Sequence, residues 1–364
     1  MVSKKTPLFE EHKKNNGRIV EFAGYSLPIS YSSIYQEHNT VREKVGVFDV
    51  SHMGEFIISG SDSLNFLQKV TTNDLRKLRF GQAQYSLMCN EKGGIIDDLI
   101  IYKKRNDYLL VVNASNREKN LKWLKKHQNS NVQIKDISDS IGLLAVQGPK
   151  SRKILNQLFD IDFNKLPFYH FQYGSLKGFN AMISRTGYTG ELGYEIFVKS
   201  KNLIELWKNI LSTGKQYGIL PAGLGCRDTL RMEMRYHLYG LDIDENINPI
   251  EAGLSWVTKF DKEFFIGKNK LANLNKYSQK KLVCIEMAEK AIPRTGNSII
   301  SNNKIVGKVT SGTMSPSLKK GICLGYVESM YYQKKGAIFI DIRGKKKKGY
   351  IVDSPFYKNG SLLH

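Results

Sequence analysis

The sequence has no long apolar run. Nothing in its 364 residues approaches the roughly 18 continuous apolar residues of a membrane-spanning helix. The start, Met1-Val2-Ser3-Lys4-Lys5-Thr6-Pro7, lacks the apolar segment of a secretory signal. It is also too short before the first motif to be a transit peptide, so the expected location is the cytoplasm. Cysteine is scarce: Cys89, Cys226, Cys284 and Cys323 lie far apart and form no C-x-x-C pair. That excludes a zinc cluster and a thioredoxin-type redox motif, and it fits buried free thiols in a reducing compartment. The histidines are scattered with no H-E-x-x-H, so no metal site is expected. Nucleotide-binding loops are missing as well. Gly223-Leu224-Gly225 is followed by Asp228 where a dinucleotide fold needs glycine. Gly344 and Gly349 lead into Tyr350 where a P-loop needs lysine, and no G-x-S-x-G elbow occurs. Hydride transfer, nucleotide hydrolysis and serine hydrolysis all lose ground. There is no repeat and no low-complexity tract.

Positive charge is abundant, with a formal net charge of +21. The excess is spread along the chain, as a solvated surface or as a face for an acidic partner or anionic ligand. Its densest run, Lys345-Lys346-Lys347-Lys348, lies between strand-like segments 338–342 and 350–352, where a hairpin turn is expected. RNA binding would need clustered basic residues with exposed stacking aromatics, a combination not evident here. The chain is long enough for two or three domains. Helices are expected over 61–69, 116–126, 150–158 and 201–211. The last places Leu203, Leu206, Trp207, Ile210 and Leu211 at helical spacing, with Gly214 as its stop. A domain boundary is expected over 273–280, followed by short strands at 282–286, 305–310, 323–327 and 338–342. The architecture is therefore α+β with a terminal β-barrel or sandwich.

The clearest local element is a hairpin. Leu99-Ile100-Ile101-Tyr102 and Tyr108-Leu109-Leu110-Val111-Val112 flank the polar Lys104-Arg105-Asn106-Asp107. Centring the turn between Arg105 and Asn106 pairs Ile101 with Leu110 and Leu99 with Val112. The same register sets Asp98 opposite Asn113, close enough for both to act on one ligand. A bland alternative makes Asp97-Asp98 a turn pair that caps the hairpin.

Dense Gly, Pro and polar clusters complete the picture. They are Phe22 to Pro28, Phe48 to Gly54, Gly93 to Asp98, Arg185 to Glu191, Pro221 to Asp228 and Thr310 to Pro316. Such loops carry function more often than helices do. In this order and spacing, with Leu230-Arg231 and Leu238-Tyr239-Gly240, the clusters resemble the glycine cleavage T-protein family from Thr6-Pro7-Leu8 to about Pro355-Phe356.

The resemblance implies a three-domain cloverleaf around a central opening that holds the folate pteridine. Residues 1–50 with 140–245 would form the first domain, 51–139 with 246–275 the second, and 280–364 the β-rich third. It implies an aminomethyltransferase that works with lipoylated H-protein and tetrahydrofolate as co-substrate and needs no metal. A monomer that binds neither nucleic acid nor membrane is also expected. It places the catalytic aspartate at Asp98 and folate contacts at Met53, Tyr85, Asn113, Tyr188 and Trp256. Glu195 would meet the aminopyrimidine edge, and Arg227 a tail carboxylate, unless Arg227 forms a local ion pair with Asp228. Asp97 would be a structural partner, His52 a satisfied structural histidine, and Arg294 a residue at the lipoyl-arm entrance. Two relatives of the fold compete. One is a folate-dependent demethylase of small methylated sulfur or nitrogen compounds. The other is a non-enzymatic iron–sulfur assembly factor, which would carry a K-G-C-Y-type motif that the four cysteines do not supply.

Overall fold

The computed structural model describes residues 3–274 and 278–363. Part of the boundary expected over 273–280 lies outside the described residues. Three larger sheets organise the chain. A five-stranded antiparallel sheet runs in the order Ala83–Cys89, Ile95–Lys103, Tyr108–Val112, Gly54–Ser59, Gln133–Asp136. A six-stranded sheet runs Phe171–Leu176, Phe179–Ser184, Gly193–Lys199, Ile141–Gln147, Gly46–Asp49, Leu220–Pro221. The strand Gly46–Asp49 pairs with Ile141–Gln147, so the whole five-stranded sheet is inserted in sequence between two neighbours of the other.

The two sheets pack face to face. Ala83, Tyr102, Leu109 and Val111 from the first share a buried cluster with Phe48, Leu143, Ala145, Met182 and Phe197 from the second. The opposite face of the first sheet, with Phe56, Leu99, Ile101, Leu110 and Val112, packs against Phe66 and Leu67 of helix Ser63–Val70 and Leu124 of helix Arg117–His127. Tyr108–Val112 is thus buried on both faces, which explains its unbroken apolar sequence.

The hairpin follows the register read from the sequence: Leu99 faces Val112, Ile101 faces Leu110, and the loop is Lys104 to Asp107. Asp97 and Asp98 do not cap a turn; both lie within the strand Ile95–Lys103. At its entry, a Cβ on Gly94 would sit 1.8 Å from the Glu245 carbonyl oxygen, so only glycine lets these backbones approach.

Residues 280–352 close into a six-stranded barrel, which leaves no sheet edge exposed. Here the expected turn at Lys345–Lys348 is corrected. Those lysines open the strand Lys345–Val352, and the turn is Arg343-Gly344, both at positive φ (56° and 75°). Such a two-residue turn suits strand twist better than four like charges in a loop. A second correction concerns Gly214. It is the last residue of helix Leu203–Gly214, but the chain continues through a further helical turn to Gly218, which takes the left-handed conformation. Gly214 is small for packing, since a Cβ there would meet Ile219 at 2.6 Å. The expected helices at 61–69, 116–126 and 150–158 are found as Ser63–Val70, Arg117–His127 and Ser151–Leu158. All four cysteines are buried and free.

Helix Leu224–Glu233 ties the barrel to the sheets. Its Met232 packs with Leu282, Cys284, Ile322 and Leu324 of the barrel. Its Glu233 is fully buried and accepts hydrogen bonds from Ser315, Ser317 and Arg42. Arg231 donates to Asp242 at 2.6 Å and to Ser311 at 2.9 Å. No helix is long and apolar enough to cross a membrane among the described residues.

Candidate functional site

Where the packed sheets part, a cavity of about 730 Å³ opens. Its size falls within the range of small-molecule sites. Strand alternation decides which side chains reach it. Asp98, Ile100 and Tyr102 share one face of their strand and point toward the other sheet, while Asp97, Leu99 and Ile101 point away. Glu195 and Phe197 likewise share the inward face of Gly193–Lys199.

Met53, Tyr85, Asp98, Asn113, Tyr188, Glu195, Arg227 and Trp256 all line this one cavity. Arg294 does not. It is exposed on the barrel between strands Lys280–Met287 and Ser298–Ser301, where it donates to the Gly312 carbonyl at 3.1 Å.

Asp98 is the best-held acid in the wall. Asn113 Nδ2 donates to its Oδ1 at 2.7 Å and Tyr85 Oη donates to its Oδ2 at 3.0 Å. Burial pushes its carboxyl up from the usual range, and these two donors oppose the shift. The Tyr85 ring in turn stacks on Trp256, with centroids 5.9 Å apart and planes 18° from parallel. Trp256 is not a core residue: it is 61% exposed at the rim. The pair forms an aromatic wall beside the carboxylate, suited to a flat conjugated ring.

Glu195 lies elsewhere in the wall. Thr186 Oγ1 and Tyr102 Oη both donate to its Oε2, which leaves the other oxygen for a ligand. Burial raises this carboxyl as well. The Arg227 guanidinium lies 4.6 Å over the Tyr188 ring and makes no hydrogen bond or ion pair among the described residues. The local pair with Asp228 does not form, because Asp228 is taken by Arg231 at 2.8 Å. The cavity therefore offers a cation that is unpaired among the described residues, two carboxylates and an aromatic stack.

His52 needs a correction too. It is buried as expected, with its ring edge-on to Phe22 and Tyr25, but its Nδ1 has no hydrogen-bond partner among the described residues, so it is not satisfied. Burial, followed by the nearby Arg227 charge, lowers its pKa to about 4, which leaves a neutral imidazole in the cavity wall.

Sequence reasoning overlooked Tyr169, Tyr236 and Leu241 of the wall, and the asparagines Asn116 and Asn120 behind it. The asparagines had a legible signal in their spacing at 113, 116 and 120, although only Asn120 lies within helix Arg117–His127. The others had none, because they depend on which loops meet.

The GCVT N-terminal domain family matches residues 8–262, and the glycine cleavage T-protein C-terminal barrel domain family matches residues 280–358. The chain belongs to the glycine cleavage T-protein family. Similar members include an aminomethyltransferase of Bacillus subtilis, 48% identical over 98% of this chain and 99% of that one. One from Halothermothrix orenii is 47% identical over 97% of this chain and 99% of its own. A crystal structure of the glycine cleavage system aminomethyltransferase T from Bartonella henselae superposes with a TM-score of 0.91 at 30% identity, covering 98% of this chain and 99% of that chain. As the description of that family's C-terminal barrel domain has it, residues 280–352 here form a closed barrel.

Proposed function

We propose that this chain is an aminomethyltransferase, moving the methylene carbon of an aminomethyl group from the lipoyl arm of H-protein to tetrahydrofolate. Ammonia, 5,10-methylenetetrahydrofolate and the dihydrolipoyl carrier are the products. The observation that carries the reading is the Asp98 carboxylate, held by Asn113 and Tyr85 beside the Tyr85–Trp256 stack. The transfer opens an N,S-acetal and forms carbon–nitrogen bonds to folate. Cationic character develops at the methylene carbon and the attacking nitrogens. A fixed carboxylate in a cavity shielded from bulk water stabilises that charge more than water does. It also accepts or orients the amine proton, help that is typically worth about 10²–10⁴-fold.

In this proposal the pteridine lies along the Tyr85–Trp256 wall with Met53 and Tyr188 near it. Glu195 accepts from the aminopyrimidine edge, and Arg227 meets a folate carboxylate. The size of the cavity and the unpaired guanidinium support this placement. Arg294 is assigned to the arm entrance, so Arg294→Ala should raise KM for the carrier and leave folate binding unchanged. The three-domain division read from the sequence belongs to the same proposal, as do a monomeric state and a cytoplasmic location. Continuity of the sheet between 46–49 and 141–147 supports the discontinuous first domain.

The test is ammonia release from aminomethylated H-protein with tetrahydrofolate, for the native chain and for Asp98→Asn. A loss of at least about 10²-fold in kcat is expected for the variant. Turnover of small methylated sulfur or nitrogen donors, without turnover of the carrier, would overturn the proposal in favour of a demethylase.

A further inference from the structure

The chemistry above uses Asp98 and leaves its neighbour unexplained. Asp97 points away from the cavity and is fully buried beneath helix Arg117–His127. Among the described residues no cation pairs with it. Its oxygens are met by amide N–H groups alone. Asn113 Nδ2 and Asn116 Nδ2 donate to Oδ1 at 2.8 and 2.7 Å, while the Asn113 backbone N–H, at 3.3 Å, and Asn120 Nδ2 donate to Oδ2. A fully buried carboxylate without a counter-charge costs several kcal/mol unless its oxygens are saturated with donors. Here three asparagines saturate it: Asn113 just after the strand Tyr108–Val112, Asn116 just before helix Arg117–His127, and Asn120 within that helix.

The decisive contact is the amide of Asn113. Its single nitrogen carries two protons. It donates to Asp97 Oδ1 at 2.8 Å and to Asp98 Oδ1 at 2.7 Å. The amide cannot turn without losing both carboxylates at once. Its orientation is set from the Asp97 side, because Asp97 is fixed in turn by Asn116 and Asn120. Asp98, by contrast, has only Tyr85 as a second side-chain donor.

We propose that Asp97 is a positioning residue for aminomethyl transfer: held by Asn116 and Asn120, it locks the Asn113 amide and so fixes the reacting orientation of Asp98. The proposal rests on the function assigned above. It extends the working site through the sheet to the inner face of helix Arg117–His127, where no group touches substrate.

The test is a kinetic cycle on the full-length chain with aminomethylated H-protein and tetrahydrofolate. Asn116→Ser and Asn120→Ser each remove one donor from Asp97, and Asp97→Asn replaces its carboxyl group by an amide. For each, kcat should fall about 10- to 100-fold while KM for tetrahydrofolate stays within about threefold, since a small misplacement of a catalytic group is enough for such a loss. In an Asp98→Asn background the same substitutions should change kcat by less than about twofold, because they act through a carboxylate that is no longer there. A merely structural role would lower activity equally in both backgrounds. If the folded Asn116→Ser and Asn120→Ser chains keep native kcat, or if their losses multiply fully with Asp98→Asn, Asp97 is only a packing anchor. Should Asp97→Asn fail to fold, the two asparagine variants decide the question. Native turnover tests the parent reading separately: absence of ammonia release from the carrier would remove both, whereas normal turnover with insensitive variants would remove only the positioning role.

Discussion

Replacing Glu233 by glutamine should unfasten the barrel from the helix that carries Arg227 into the cavity. Glu233 ends helix Leu224–Glu233 and is fully buried. Its Oε1 accepts from Ser315 Oγ at 2.5 Å and from the Ser317 N–H at 3.1 Å. Its Oε2 accepts from Ser317 Oγ at 2.8 Å and from Arg42 at 2.7 and 3.2 Å. Despite burial, which alone would raise it, the carboxyl is lowered from 4.5 to about 2 by its contacts with His38, Arg42 and Ser315. The gap corresponds to about 3 kcal/mol of stability from the charged form. Breaking a buried ion pair by removing one partner costs a similar amount, about 3–5 kcal/mol.

The sign follows from the lowered pKa. The contribution is complete well above pH 4.5 and is lost as pH falls toward 2. About 0.8 kcal/mol is gone by pH 4 and about 2 kcal/mol by pH 3. Urea unfolding of native and Glu233→Gln chains, followed by tryptophan fluorescence, measures the gap at each pH. It should be about 3 kcal/mol at pH 7 and shrink by about 2 kcal/mol at pH 3. A gap that stays constant from pH 7 to pH 3 would refute the reasoning, because it would mean that shape and not charge holds the barrel.

Two further outcomes are expected. Trp256→Ala should raise KM for tetrahydrofolate about tenfold, from the loss of roughly 1–1.5 kcal/mol of stacking, and should move the unfolding midpoint very little because the indole is 61% exposed; an unchanged KM would remove Trp256 from the folate wall. Lys262→Met should lower stability by about 3 kcal/mol, since the buried Nζ donates to the carbonyls of Gln68, Thr71 and Asn73 at 2.8, 2.7 and 2.9 Å, and a thermal unfolding shift under about 2 °C would contradict that.

The features legible in the sequence were those fixed by near neighbours along the chain. The hairpin register came from centring two apolar runs on a four-residue polar loop, and the same pairs meet in the structure. Helix Leu203–Gly214 was visible because one face repeats at helical spacing and ends up buried, with Leu203, Leu206, Trp207 and Ile210 inside. Misplacements occurred where local chemistry has two solutions. Four lysines in a row suit a loop, yet a strand also exposes lysines 345, 346 and 348 while burying the alternate Gly349 and Ile351. Gly214 could stop a helix or let one pack closely, and Ile219 decides for packing.

By itself, then, the sequence determined the strand and helix periods, the hairpin that brings Asp98 to Asn113, and the family, which resides in the order of its loops. Only the tertiary structure decided which groups are free and which are committed. Among the described residues Arg227 stands unpaired, because Asp228 is claimed by Arg231, which is itself bound to Asp242. The His52 Nδ1 has no hydrogen-bond partner among the described residues of the packed wall. Asp97 and Asp98 are neighbours in sequence, but strand pleating sends one under a helix and the other into a cavity between sheets. Adjacent identical residues thus acquire different work, because face, burial and partners are properties of the assembled layers and not of the residue pair.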